Sequence, residues 1–108
     1  MAELEPTGEA YCAAEVSAED GMPVIRLSGE LDMVSVERVR PVVEGVLTAE
    51  DGRLAFDVSE LEFMDSSGVA LLVSAARTRQ VELLRHPNSI VRRLIELAGL
   101  NELLLVVS

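Results

Sequence analysis

The apolar positions of this chain follow two rhythms, and the alternation between them predicts its elements. Strand-like runs occur at Tyr11 to Val16, Val24 to Ser28, Leu54 to Val58, Val81 to Leu84 and Leu103 to Val107. Between them, apolar residues recur every three or four positions, as on one face of a helix. Val36, Val39, Val43 and Val46 form the first such stripe, Val69, Leu72, Val73 and Ala76 the second, and Val91, Leu94, Ile95 and Ala98 the third. The polar stretch between the first two strands contains Asp20-Gly21, a turn dipeptide, which predicts a hairpin with a long loop.

Leu54 to Val58 hardly alternates and lies between Asp51-Gly52 and Ser59-Glu60, the pattern of a central strand buried on both faces. Pro41 interrupts the first helical stripe. In a helix interior proline removes a backbone bond and costs about 3 kcal/mol or more, so a kink or a late helix start is expected there. His86-Pro87-Asn88-Ser89 supplies a stop and a cap before the third helix, which Gly99 ends. Strands alternating with helices imply right-handed crossovers. The expected fold is therefore α/β: one domain with a mixed, mostly parallel sheet of about five strands, an antiparallel hairpin at its edge and amphipathic helices packed against it. Residues 1–9 are acidic, contain Pro6 and Gly8 and show no periodicity. They read as a flexible arm, with residues 10–108 as the domain.

With 49% hydrophobic and 26% charged residues, the chain can bury enough apolar surface to offset its conformational entropy. Aromatic residues make up 3% and tryptophan is absent, so the core is built from aliphatic side chains. Nine arginines face 19 acidic residues, for a net charge of -10. That balance argues against nucleic acid or an anionic membrane surface and for a protein partner with a basic patch. Cys12 is the single cysteine, which excludes an internal disulfide and a thiolate zinc site, and a cytoplasmic location is expected. The N-terminal residues lack the basic start and apolar stretch of a signal peptide. The run at Leu103 to Val107 is far short of the roughly 20 apolar residues that span a bilayer, so no membrane insertion is expected.

No catalytic constellation is visible: there is no phosphate-cradling glycine loop, no G-x-S-x-G elbow and no H-E-x-x-H. His86 precedes Pro87 in a loop and reads as a surface imidazole. Cys12, on a strand among small apolar residues, reads as a buried, inert thiol. No catalytic residue, metal site or cofactor is expected. The informative segment is Phe63-Met64-Asp65-Ser66-Ser67-Gly68, an apolar approach followed by four small or polar residues at the start of a helix. Simple capping explains part of it, since Asp or Ser accepts a bond from a first-turn amide and Gly68 lets something pack closely. One residue suffices for a cap, however, and the consecutive Asp65, Ser66 and Ser67 leave at least one hydroxyl free. A phosphate on that hydroxyl would sit at a helix N-terminus, which accepts anions readily.

From about Cys12 onward the chain resembles the STAS-domain anti-sigma-factor antagonists. The resemblance rests on Leu27-Ser28-Gly29-Glu30-Leu31-Asp32, Leu54-Ala55-Phe56-Asp57-Val58-Ser59, Phe63-Met64-Asp65-Ser66-Ser67-Gly68, and Val91-Arg92-Arg93-Leu94 with Ala98-Gly99-Leu100. It departs at Ala70, where many members have glycine, and at a shortened connection from Arg77 to Val81. The resemblance implies a non-enzymatic switch. Its unphosphorylated form binds an anti-sigma factor serine/threonine kinase and frees a sigma factor, phosphorylation at Ser66 ends the binding, and a metal-dependent protein phosphatase resets it. It also implies that Glu30, Leu31 and Asp32 lie near the phosphoacceptor and contact the partner. Asp65, Ser67, Gly68 and Val69 would complete the docking surface. As an exposed loop carboxylate, Asp32 is expected to contribute little to folding. The alternative is a STAS adaptor subunit of a stress-signalling complex or a lipid-transport ATPase, in which Ser66 need not be modified. A serine hydrolase would need a base beside Ser66 that the sequence does not offer.

Overall fold

Asp20 and Gly21 both adopt positive φ, 53° and 82°. They close a two-residue turn between β1 (Cys12–Glu19) and β2 (Met22–Leu31), a geometry whose twist suits an antiparallel pair. The hairpin is tighter than the long loop its polar sequence predicts, because pairing runs unbroken from Cys12↔Gly29 to Glu19↔Met22. The structure, a computed structural model, describes residues 12–49, 52–84 and 87–99, and the backbone of 104–107. The expected arm at 1–9, Tyr11 and His86 lie outside the described residues.

The chain continues through α1 (Val36–Ala49), β3 (Leu54–Met64), α2 (Ser66–Thr78), β4 (Val81–Leu84), α3 (Ser89–Leu97) and β5 (Leu104–Val107). The five strands lie in the order β1-β2-β3-β4-β5. Only the β1/β2 pair is antiparallel. The predicted mixed sheet with a hairpin at its edge is thus what forms, and β3 is its central strand. Leu54 to Val58 is buried throughout, as a strand covered on both faces must be.

β3 is about twice as long as the run that announces it. Against β2 its register steps from Arg26↔Asp57 to Ser28↔Glu60 and from Gly29↔Leu61 to Glu30↔Phe63, so β3 carries an extra residue at each step. Such bulges break the two-residue alternation, which hides residues 59–64 from a periodicity reading. Asp57 braces the first bulge by accepting from the amide and hydroxyl of Ser59, at 3.0 and 2.6 Å. Gly29 adopts φ 98° beside the second, a conformation that only glycine enters freely. The two strands then end together, with Leu31 paired to Met64.

α1 buries Val36, Val39 and Val43 as its stripe predicts. It runs through Pro41 rather than starting after it, because its first turn is set upstream: the amide of Val36 donates to Asp32 O at 2.8 Å and that of Arg38 to Ser35 O at 2.9 Å. α2 buries Gly68, Leu71, Leu72 and Ala75, a face centred one position before the predicted stripe, with Val69, Val73 and Ala76 partly covered. These faces meet Ile25, Leu27, Phe56, Val58 and Leu61 from the sheet in a core that is aliphatic apart from Phe56, and α3 adds Val91 and Ile95. Asn88 caps α3 through the Val91 amide at 2.8 Å and donates to Leu61 O at 2.9 Å, tying that helix to the far half of β3.

Because Pro41 is exposed within α1, replacing it loses no packing and restores a helical donor. Pro41→Ala should raise stability by about 1 to 2 kcal/mol, the helix-interior cost less the entropy that proline removes from the unfolded chain. Urea denaturation checks this, and a lower midpoint would show that the proline suits its place.

Candidate functional site

The parallel pairing of β2 and β3 brings their C-terminal ends side by side, and each strand hands over to a helix there. Asp32 follows Leu31 and Asp65 follows Met64, one step beyond the last paired residues. The two handovers are bonded to each other, since the Asp65 amide donates to Leu31 O at 3.2 Å. Glu30 to Asp32 and Asp65 to Val69, expected to form one site, are therefore brought together.

Asp65 is the N-cap of α2. Its backbone is extended and its carboxylate accepts from the amides of Ser67 and Gly68, at 2.8 and 3.4 Å. With capping done by the residue before it, the Ser66 side chain is left exposed at the first helical position. Among the described residues, neither the Ser66 nor the Ser67 hydroxyl has a hydrogen-bond partner. Ser67 is half-buried, and Val69 is half-buried against the core.

Gly68 is buried. A Cβ on it would lie 2.5 Å from Met64 Cγ and 2.9 Å from Leu31 O. The first turn of α2 is thus pressed onto the end of β2, and only a residue without a side chain fits. Leu31 is 0% exposed. Its side chain and the Cα of Gly68 face the interior, where they hold the site's two halves together. Glu30 is exposed, and its carbonyl accepts from the Ser35 hydroxyl at 2.6 Å.

Asp32 is bonded into its own loop. Its Oδ1 accepts from the amides of Val34 and Ser35, at 3.1 and 2.9 Å, while its own amide donates to Ser35 Oγ at 2.9 Å. This reciprocal pair resembles a capping box and fixes the loop that leads into α1. The Ser35 amide first, then the Ser35 hydroxyl and the Val34 amide, hold the Asp32 carboxyl below its ordinary value of 3.8, with partial desolvation opposing them. Asp32 is a structural carboxylate beside the site rather than a free loop charge. Ser35, fully buried, was not singled out in the sequence, although the Asp-x-x-Ser spacing just before the first helical stripe was a readable signal.

Two further buried carboxylates escape a motif reading. Asp57 is 2% exposed and lies 3.8 Å from Arg26 Nε, and Glu82 on β4 accepts from Arg53 at 2.7 Å. Both belong to the sheet rather than to the Ser66 end. Cys12 is buried, and burial first, with the charge of Asp32 adding, pushes its thiol up to about 11 against a backbone bond from Ser28. A raised pKa in a buried setting disfavours the reactive thiolate. Among the described residues, no group of three or more His, Cys, Asp or Glu side chains is arranged to hold a metal ion. No described helix is long and apolar enough to cross a membrane.

A family model described as Mlab, STAS domain, matches residues 14–107. The chain is 34% identical over 88 residues to the anti-sigma F factor antagonist of Lysinibacillus sphaericus, a match covering 71% of this chain and 70% of that protein. In three dimensions it is similar to the crystal structure of an anti-sigma factor antagonist from Mycobacterium paratuberculosis, with a TM-score of 0.79 and 27% identity over 88% of this chain and 84% of that one. It is also similar to the Bacillus cell fate determinant SpoIIAA in its phosphorylated form, with a TM-score of 0.65 and 28% identity over 89% and 92% of the two chains.

Gly68→Ala should destabilise the protein by about 1 to 3 kcal/mol, the usual cost of overpacking, because the added methyl meets a backbone carbonyl that cannot rotate away. The gain of roughly 1 kcal/mol in helix propensity does not offset this. Chemical denaturation decides it, and an unchanged or higher midpoint would mean that the contact is loose. For Asp32 the sign follows from its lowered pKa. The stability it contributes is complete above the unfolded value near 3.8 and is lost as pH falls through the folded value. Asp32→Asn should therefore be less stable than the parent at neutral pH, and the gap should close in acid. Urea midpoints measured across that range check this, and a gap independent of pH would contradict it.

Proposed function

This chain belongs to the STAS domain family, and on that premise we propose that it is an anti-sigma-factor antagonist controlled by phosphorylation of Ser66. Unphosphorylated, it binds a cognate anti-sigma factor that is also a serine/threonine kinase and so releases a sigma factor. Phosphorylated, it lets go, and a protein phosphatase restores it. These partners place its work in the bacterial cytoplasm. The chain contributes a substrate hydroxyl rather than catalysis: Ser66 Oγ forms the new bond to the γ-phosphorus, the bond to the leaving ADP breaks, and the kinase supplies ATP, Mg²⁺ and the base.

The observation that carries this reading is the exposed Ser66 hydroxyl, without a hydrogen-bond partner among the described residues, on a helix whose cap is already made by Asp65. Adding a phosphate there cuts no hydrogen bond of the fold, and the helix N-terminus accommodates the charge. The surface changes profoundly, because the group brings about -1.5 to -2 charges at neutral pH. A partner fitted closely against a serine would have to desolvate that dianion, at a cost of several kcal/mol. Among relatives, the phosphorylated form of SpoIIAA keeps a fold similar to this one. Membership of the STAS domain family is equally compatible with a second reading, an adaptor subunit of a larger assembly with no modification at Ser66.

Purified protein should be incubated with ATP and each anti-sigma-type serine kinase of the same genome, followed by intact mass measurement and titration calorimetry. One phosphate should appear on the parent and on Ser67→Ala, and none on Ser66→Ala. Ser66→Ala should bind persistently and Ser66→Asp weakly. A phosphate on Ser67 would move the site, equal affinity before and after modification would remove the switch, and absence of both binding and phosphate would leave the adaptor reading.

A further inference from the structure

The loop between β2 and α1 displays two adjacent large apolar side chains to water, Met33 at 70% exposure and Val34 at 56%. We propose that this pair is the apolar anchor by which the protein seats itself on the anti-sigma kinase, entering an apolar pocket rimmed by basic side chains. The proposal rests on Ser66 being the phosphoacceptor and names the contact that recognition of that site uses.

Scattered apolar residues on a surface need no explanation, but the backbone under these two is unusually well fixed. The Val34 amide donates to Asp32 Oδ1 and its carbonyl accepts from the Glu37 amide. On either side, the Asp32–Ser35 pair and the bond from Ser35 Oγ to Glu30 O hold the flanking residues. Leu31 before the pair and Ser35 and Val36 after it are buried, so neither Met33 nor Val34 can turn inward without breaking this network. An apolar pair on a pre-ordered loop has little backbone entropy left to lose on binding, which is what makes an anchor effective.

The occupant follows from position and charge. The bond from the Asp65 amide to Leu31 O ties the strand end just before this loop to the residue just before Ser66. A kinase that brings ATP to within bonding distance of Ser66 must cover the residues beside it. Glu30 flanks the pair with an exposed carboxylate, and Glu37 with one that lies 3.6 Å from Arg40, on a chain of net charge -10, an acidic balance that complements a basic rim and opposes a second copy of the same protein.

The test compares the parent with Met33→Ser, Val34→Ser and the double variant, using each purified anti-sigma-type serine kinase of the same genome. Calorimetric affinity, the kinetics of Ser66 phosphorylation, the melting temperature and the sedimentation coefficient are measured. The double variant should bind at least about tenfold more weakly, with a raised KM for phosphorylation, a nearly unchanged kcat and an unchanged melting temperature. Affinity and KM within about twofold of the parent, with Ser66→Asp still binding weakly, would overturn the anchor and leave the Ser66 reading intact. A parent dimer that the double variant converts to monomer, with kinase affinity preserved, would assign the pair to self-association and likewise overturn it. A parent that no kinase binds or phosphorylates would overturn the Ser66 reading and the anchor with it.

Discussion

The close approach of α2 to the end of β2 is the contact on which the rest of this site depends. The carbonyl of Leu31 accepts from the Asp65 amide at 3.2 Å and lies 2.9 Å from where a Cβ of residue 68 would stand. One backbone oxygen thus fixes both the cap of the helix and the distance of its first turn from the sheet. The glycine is demanded by space at this point, not by backbone freedom. Because the contact is between main-chain groups, it is set by the register of β2 against β3, and that register is set in turn by the two bulges.

From this constraint follows a division of roles among short polar side chains that look alike in the sequence. Asp65 and Asp32 spend their carboxylates on amides of adjacent helix starts, and Ser35 is consumed in the interior. Ser66 stands exposed at the first position of α2, and among the described residues its hydroxyl has no hydrogen-bond partner. A group added there meets solvent on one side and a fully bonded scaffold on the other. Surface and fold are thereby decoupled, the physical requirement for a modification that alters binding without unfolding the domain.

Much of the architecture was legible in the apolar pattern: the stripe of α1 and the barely alternating run from Leu54 to Val58 coincide with a buried helix face and a buried central strand. What misled the reading were local departures from period. Two extra residues in β3 concealed its far half, and a two-residue turn lay within a polar stretch that resembled a loop. In the site, three candidate caps in succession implied a spare hydroxyl, and it was the family resemblance that singled out Ser66 among them. The burial of Leu31 and Gly68 and the structural duty of Asp32 were not legible. They arise from contacts between β2, α2 and the loop before α1, which a one-dimensional pattern does not contain. Asn88 reaching Leu61 across 27 positions is of the same kind.

The central claim is that a phosphate on Ser66 changes the surface while the scaffold beneath it stays as it is. Phosphoserine incorporated at position 66 during translation isolates this effect without any kinase. Amide chemical shifts and hydrogen exchange can then be compared with those of the unmodified protein. Shift changes confined to the first turn of α2 and the loop between β2 and α1, with the Ser67 and Gly68 amides still protected by Asp65, are the predicted result. Loss of that protection, or changes spreading along β3 into the core, would contradict it.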